Sequence, residues 1–231
     1  MKHLKNFQLF ESKKEEKSTN KAQEMIDAFK KKYGTELDEK FDVNQIKLIE
    51  SAFEFFDKKF IKNKIQKIIL DDLGGVHGRW SETKTKKHMT LNPSIFKFKK
   101  EFENGNKDVP YKEFVIAHEI GHCVDHIERV SYSKTWQAIS GWKRLDRDKS
   151  VPEGYVRYIE KRKGREVAGP KRSNWIYKED ADFCRKYTSR NPREEFADCF
   201  AFGVFGAWDR FKGEGGKKKM EIIKKVLKKV D

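Results

Sequence analysis

The feature that most constrains this chain is a pair of histidines four residues apart in an apolar run. Residues 114–126 read Phe-Val-Ile-Ala-His-Glu-Ile-Gly-His-Cys-Val-Asp-His, in which His118, Glu119 and His122 form the pattern H-E-x-x-H. An α-helix turns by about 100° per residue, so residues four apart lie on one face. Both imidazoles can then reach a single metal ion, with Glu119 beside them. The alternative is a chance match on a buried helix.

This pattern contains the groups that a zinc hydrolase uses. Two neutral imidazole nitrogens hold the ion, and the neighbouring carboxylate accepts the proton of the water that attacks a peptide carbonyl. A catalytic zinc site has three protein ligands and one open position. The sequence therefore predicts one Zn²⁺ ion, His118 and His122 as ligands, Glu119 as general base and a third ligand elsewhere.

Three residues near the motif are poor candidates for the third ligand. His126 lies eight residues after His118, which is about 12 Å along a helix and too far to share an ion. Asp125 and Glu128 stand where H-E-x-x-H-x-x-G-x-x-H enzymes carry Gly and His, so that pattern fails at both positions. Asp125 is on the correct side of the helix, but the helix would have to distort for it to bind.

A downstream acidic helix offers a better candidate. Residues 192–201 read Pro-Arg-Glu-Glu-Phe-Ala-Asp-Cys-Phe-Ala, which places Glu194 and Asp198 on one face and small alanines beside them. Carboxylates on an otherwise apolar helix need a compensating charge, and a metal ion on the facing helix would provide it. The alternative is a pair of exposed carboxylates at a helix start, where the helix dipole favours them.

The two stretches together resemble a known family. His118-Glu119-x-x-His122, followed by Tyr187 and by Asn191-Pro192-x-Glu194-Glu195-Phe196-Ala197-Asp198, is similar to the zincin metallopeptidases that include the catalytic domain of anthrax lethal factor and the Pro-Pro endopeptidases. The resemblance covers residues 65–205 loosely and the two motifs closely. The chain departs from the family pattern in the long segment before Tyr187 and in Thr188, where relatives often have Ala.

The resemblance implies a fold, a reaction and further site residues. It implies a zinc-dependent endopeptidase of gluzincin type, with Glu194 as third ligand, Tyr187 stabilising the oxyanion and Asp198 supporting a ligand. The expected fold is α+β, with a small mixed sheet, the H-E-x-x-H helix and a second, Glu-bearing helix. Substrate-binding residues stay unassigned, apart from a strand at 88–91 that we expect at the sheet edge, where an extended peptide can pair.

Hydrophobic periodicity predicts three regions along the chain. Residues 1–63 form a charged helical region, with one helix ending before Gly34 and an amphipathic helix from Asp42 that continues to Phe60. Residues 64–210 form the catalytic domain, with strands at 65–70, 76–80 and 88–91 and an irregular insertion at 131–180. That insertion either lines a substrate cleft or is a surface decoration. Residues 211–231 form a basic amphipathic helix that docks on its own domain or contacts a membrane or nucleic acid.

The charge of the chain bears on its partners. The formal net charge is +15, which favours an acidic protein or peptide substrate, or nucleic acid, although no nucleic-acid motif is present. The alternative is a solvated, lysine-rich surface. The main rival to a protease is therefore a catalytically silent zincin-fold module that holds nucleic acid or an acidic protein. A purely structural zinc is less consistent with the sequence, because such sites usually have four ligands.

Cysteine use and the N-terminus indicate the compartment. Cys123, Cys184 and Cys199 are an odd number of single cysteines in apolar surroundings, which predicts a reducing environment. Cys123 and Cys199 lie next to proposed ligands but have no paired spacing, which predicts that both are small core residues. Neither a signal-peptide run nor a membrane span is predicted, so we expect a cytoplasmic protein. Residues 1–11 resemble the openings of tailed-phage proteins, which implies a viral, virion-associated protein with a virion or host target.

Overall fold

Several helices in this protein begin or end at capping residues that can be recognised in the sequence. The computed structural model describes residues 19–62, 64–83, 85–97, 109–159, 161–162, 165–166 and 174–230. These residues form two units: one comprises 19–97, 111–116 and 230, the other 109–110 and 117–229. The structure is mixed α+β, as predicted. The three-region division of the chain stays a prediction.

The first unit opens with two packed helices. Helix α1 spans residues 19–33 and ends before Gly34, whose φ of 69° suits a glycine. Helix α2, Val43–Phe53, begins at a capping box in which the side chain of Asp42 accepts from the backbone of Gln45. Aromatic rings from both helices meet, with centroids 4.6 to 5.3 Å apart, among Phe29, Tyr33 and Phe53. Both helices were predicted, but α2 ends at Phe53, and a separate short helix, α3, Lys58–Ile61, follows.

A four-stranded mixed sheet completes the first unit. Its strand order is β1 (Glu36–Leu37), β2 (Lys67–Leu70), β4 (Lys87–Leu91) and β3 (Gly78–Glu82), and a short helix α4 (Ser94–Lys97) follows β4. Strand β2 is parallel to β1 and β4, whereas β3 is antiparallel to β4. The expectation that the strand at 88–91 is a sheet edge is wrong. Its hydrogen-bonding groups pair on both sides, so it cannot accept an added peptide strand.

The second unit is mainly helical. Its helices are α5 (Tyr111–Glu128, of which residues 111–116 belong to the first unit), α6 (Lys134–Ser140), α7 (Pro192–Val204) and α8 (Gly213–Val230). Single 3-10 turns occur at Val130–Tyr132, Lys186–Arg190 and Trp208–Arg210. A small antiparallel sheet has the order β5 (Lys143–Arg144), β9 (Trp175–Lys178), β6 (Tyr155–Arg157), and β7 (Lys161–Arg162) pairs with β8 (Arg165–Glu166).

Helices α5 and α7 approach each other closely inside this unit. A Cβ atom placed on Gly121 would lie 3.0 Å from Cα of Ala197 and 3.2 Å from the ring of Phe200. Such a short distance to backbone leaves no room for a side chain. The missing side chain of Gly121 and the small one of Ala197 therefore set the distance between the two predicted ligand-bearing helices.

The segment at 131–180 is more than a surface decoration. The side chains of Trp136, Ser140, Trp142 and Arg157 are buried within the second unit. Arg157 donates to the backbone carbonyls of Arg147 and Asp146, which fixes a loop of the same segment. This segment therefore contributes to the core, and the purely decorative alternative is wrong for these residues.

Helix α8 is basic and amphipathic, as the sequence predicts. Ile223, Val226 and Val230 are buried, whereas most of its lysines are exposed. Its packing on α7 is close, because a Cβ atom on Gly203 would lie 2.6 Å from Cγ2 of Ile223. Among the residues that the structure describes, no helix has the length and apolar character needed to cross a membrane.

Candidate metal centre

Helix α5 places the three motif residues in the interior of the second unit. Its neighbouring apolar residues, Ile120 and Val124 among them, are fully buried and hold the helix in the core. The rings of His118 and His122 lie with centroids 4.7 Å apart and nearly perpendicular, at 88°. Both side chains and that of Glu119 are buried. The i, i+4 spacing thus brings two imidazoles to one spot.

Helix α7 brings Glu194 to the same spot. Its first turn is fixed by Asn191, whose Oδ1 accepts from the backbone N–H of Arg193 at 3.0 Å and of Glu194 at 3.1 Å. Oε2 of Glu194 lies 3.3 Å from Nε2 of His118 and 3.6 Å from Nε2 of His122. The candidate ligand atoms of these three residues all lie within 4.8 Å of one another.

The donor set fits a zinc ion. Two imidazole nitrogens and one carboxylate oxygen are ligands that zinc prefers, and three protein ligands leave room for a fourth. Oε2 of Glu194 is buried and has no hydrogen-bond partner among the described residues. A buried acceptor without a donor is unfavourable, and a cation shared with the two imidazoles would satisfy it.

The ionisation of these groups follows from their crowding. Burial raises the pKa of Glu194, but the imidazoles of His118 and His122 outweigh burial and hold it well below its ordinary value. Burial lowers the pKa of His118, but the carboxylates of Asp198, Glu194 and Glu119 outweigh burial and raise it to about 10. Without metal, the cluster therefore attracts positive charge strongly.

Asp198 orients the first histidine. Nδ1–H of His118 donates to Oδ1 of Asp198 at 2.7 Å, and Asp198 is fully buried. This bond fixes Nδ1 as a proton donor to Asp198 and leaves Nε2, on the side of Glu194, as the nitrogen that a metal ion can take in place of a proton. The geometry is the one expected for a residue that supports a metal ligand.

Arg185 is a site residue that the sequence reasoning missed. Its Nη2 donates to Oδ1 of Asp198 at 2.9 Å, and its Nε donates to Oδ2. The guanidinium thereby holds the pKa of the buried Asp198 below its ordinary value, together with His118 and against the effect of burial. One signal was present: a buried acid needs a cation, and Arg185 lies 13 residues upstream in an irregular segment.

Tyr187 lies on the 3-10 turn Lys186–Arg190 near the cluster. Its ring centroid is 6.3 Å from that of His118, and the guanidinium carbon of Arg185 lies 4.8 Å from it on the ring face. Arg190 donates to its hydroxyl at 3.3 Å. Burial, followed by the nearby Glu194, raises the pKa of Tyr187, so that its hydroxyl keeps its proton and can donate it in a hydrogen bond.

The rejected ligand candidates have other positions and partners. Asp125 accepts from the backbone of Ser131 at 2.8 Å and from its hydroxyl at 2.6 Å, which fixes the chain after α5. Glu128 pairs with Lys229, and His126 is exposed. Cys123, Cys184 and Cys199 are buried thiols, and this position was predicted for Cys123 and Cys199.

Protein-family models, curated proteins and solved structures give no match to this chain. The case for a function rests on the geometry above. A buried cluster of two imidazoles and a carboxylate, with a second carboxylate one residue away, can bind a divalent cation and transfer a proton beside it.

Proposed function

We propose that this protein is a zinc-dependent endopeptidase of gluzincin type. One Zn²⁺ ion would be held by His118, His122 and Glu194. The observation that carries the proposal is the convergence, within 4.8 Å, of ligand atoms from two buried histidines and the half-buried Glu194, whose Oε2 lacks a hydrogen bond among the described residues. The resemblance of the two motifs to lethal factor and the Pro-Pro endopeptidases points to the same assignment.

Zinc bound at this site would supply Lewis acidity, which polarises a substrate carbonyl and acidifies a water molecule. Glu119, which follows His118 in the chain and is 4% exposed, would accept the proton of the attacking water. The same carboxyl group then delivers that proton to the departing amine.

Tyr187 and Asp198 complete the assignment. The protonated hydroxyl of Tyr187 donates to the oxyanion that develops on the substrate, a contribution of about 3 kcal/mol for comparable donors. Asp198 keeps His118 in the tautomer that binds metal through Nε2. We further propose a zincin-like arrangement, supported by the order of a small mixed sheet, the histidine-bearing helix α5 and the glutamate-bearing helix α7.

The substrate class that we propose is a peptide with acidic residues near the cleaved bond. The net charge of +15 favours such a substrate through long-range attraction. Cleavage should therefore slow as ionic strength rises, because salt screens exposed charges.

The test combines metal content with cleavage. We expect about one zinc per chain in the wild type and Glu119→Gln by elemental analysis, and little in Glu194→Ala. Glu119→Gln should lose peptide cleavage although it keeps zinc. The matched control is Glu221→Ala, which removes an exposed glutamate of α8. Zinc-free wild type after reconstitution, or full zinc in Glu194→Ala, contradicts the proposal.

One observation favours a second candidate, the catalytically silent binding module. The apolar side of α8 is buried, and most of its lysines point to solvent. Four of these exposed lysines are Lys217, Lys224, Lys225 and Lys228. Such a row attracts polyanions. Salt-sensitive binding to duplex DNA by a zinc-loaded protein that cleaves no member of a peptide library would favour this candidate over the protease.

A further inference from the structure

Two buried thiols touch beside the proposed metal centre. Sγ of Cys184 lies 3.5 Å from Sγ of Cys199, and both cysteines are free. Cys184 directly precedes Arg185, and Cys199 directly follows Asp198. The two cysteines are therefore chain neighbours of Arg185 and Asp198, whose side chains bond to each other and, through Asp198, to His118.

We propose that Cys184 and Cys199 form an oxidation site whose reversible disulfide tethers Arg185 to Asp198 and so controls how firmly the centre keeps its metal. The regulatory half of this proposal rests on the proposed zinc site. The oxidation half rests only on the contact between the two thiols. No role in holding metal is assigned to either sulfur.

The geometry requires only a small movement. A disulfide bond is about 2.05 Å long, so the sulfurs must approach by about 1.5 Å. Cys199 sits on α7, where its neighbours are fully buried. Cys184 lies between β9 and the turn Lys186–Arg190, outside helix and strand, so its backbone is less constrained.

The two thiols differ in exposure, which sets the order of the reaction. Cys199 is fully buried, and burial, followed by its neighbours Cys184 and Glu195, raises the pKa of its thiol well above the ordinary value. Cys184 retains 7% exposure and is the one that a small oxidant can reach. Oxidation therefore starts at Cys184.

Hydrogen peroxide is an oxidant small enough for this site. The sulfur of Cys184 attacks one peroxide oxygen, so that an S–O bond forms, the O–O bond breaks and one water leaves with the thiol proton. The sulfur of Cys199 then attacks that of Cys184. An S–S bond forms, the S–O bond breaks, and the Cys199 proton leaves in a second water. Two thiols are oxidised and one peroxide is reduced to two waters.

The disulfide would close a ring that contains much of the centre. Residues 184–199 include Arg185, Tyr187, Glu194 and Asp198. A cross-link reduces the number of opened conformations through which Asp198 and Glu194 can separate from α5. Because partners behind metal ligands change metal affinity by about 10- to 100-fold, we expect zinc loss to a chelator to slow by about tenfold on oxidation.

The experiment uses the full zinc-loaded chain with and without peroxide. We expect a mass decrease of about 2 Da, a peptide map that joins Cys184 to Cys199, and slower zinc transfer to a chelating dye, all reversed by dithiothreitol. Cys184→Ala should lose all three effects. Cys123→Ala, which removes the buried cysteine outside the pair, should keep them.

The outcomes separate the two halves of the proposal. Persisting thiols, or addition of oxygen to Cys184 without a Cys184–Cys199 link, overturn the oxidation site. A mapped disulfide with unchanged zinc transfer overturns the regulation only. Failure of the zinc site itself is recognised beforehand, as absence of zinc from the untreated wild type, and the mass and peptide map still decide the oxidation site.

Discussion

Two neighbouring glutamates on α7, Glu194 and Glu195, differ in the partners that compensate the charge of their carboxylates. Glu195 is fully buried and completely partnered, accepting from Ser140 at 2.7 Å and from Trp142 at 2.8 Å, with Nζ of Lys219 at 2.7 Å. Glu194 faces only two imidazole nitrogens, at 3.3 and 3.6 Å, and its Oε2 makes no hydrogen bond with the described residues.

The difference teaches which carboxylate stabilises the fold and which one is available for chemistry. Charge and hydrogen-bonding capacity are balanced around Glu195, so it needs nothing further. The charge of Glu194 is compensated by the imidazoles of His118 and His122, which are themselves candidate metal ligands, so a cation bound by all three residues could replace the imidazole protons. We therefore propose that Glu195 stabilises the fold and that Glu194 binds metal, and the four sets of variants below test this division.

The largest effect is expected from removal of the buried lysine. Lys219→Met leaves Glu195 charged without a cation in the interior, and should lower the free energy of unfolding by about 3–5 kcal/mol. Urea denaturation measures this loss. Lys218→Met is the control, since Lys218 is exposed and, among the residues that the structure describes, pairs with the exposed Glu214 alone, so its loss should leave the free energy of unfolding nearly unchanged. Equal losses would remove the distinction between the two lysines.

The two glutamates themselves can be compared directly. In the metal-free protein, Glu195→Gln should lower the free energy of unfolding by about 2–3 kcal/mol, because two short hydrogen bonds to a carboxylate and an ion pair are weakened. Glu194→Gln should cost less, because no buried lysine loses its partner. With zinc at 100 times its dissociation constant, only Glu194→Gln should lose the stabilisation of about 2.7 kcal/mol that binding confers. The reverse pattern contradicts the assignment.

The third prediction concerns the short distance between α5 and α7, which an added side chain at Gly121 would increase. Gly121→Ala forces a Cβ atom to within 3.0 Å of Ala197 and should cost about 1–3 kcal/mol in stability, with weaker zinc binding because α7 is displaced. Thermal unfolding and zinc titration measure the two effects. Gly75→Ala, where an added Cβ meets nothing within 4 Å, should leave zinc binding unchanged. Unchanged binding in Gly121→Ala would show that α7 need not be so close.

The smallest effect is expected from the residue behind Asp198. Arg185→Gln removes the paired donors to that carboxylate and should weaken zinc binding by about 10- to 100-fold while the fold is kept. Competition with a chelator measures the affinity, and circular dichroism verifies the fold. Arg79→Gln removes an exposed arginine of β3 in the first unit and should change the affinity less than about twofold. Identical affinities in both variants would exclude Arg185 from this role.

Local patterns in the sequence predicted much of the fold. Helices α1, α2, α7 and α8 follow from apolar spacing and from caps such as Asp42 and Gly34, because these signals act between residues close in the chain. The end of α2 was misplaced. Phe56 and Phe60 continue the helical spacing, but the chain turns after Phe53 and a separate short helix forms.

Strand positions were predicted better than strand neighbours. The stretch at 88–91 has the composition of a strand and is one, but its place between β2 and β3 depends on pairings with distant segments. The residues of a five-residue strand do not by themselves determine whether the strand is central in a sheet or at its edge. The local sequence therefore could not show whether the strand at 88–91 has a free edge on which a peptide could dock.

For the candidate site, the sequence by itself determined the residue types and their helical spacing. His118 and His122 must share a face of any helix that contains them, and so must Glu194 and Asp198. Only the tertiary structure decided that Oε2 of Glu194 faces both imidazoles, that Asp198 turns to His118 and Arg185, and that Glu195 turns away to Lys219. The physical reason is that charge compensation in the interior operates through space, between groups up to 80 residues apart in the chain.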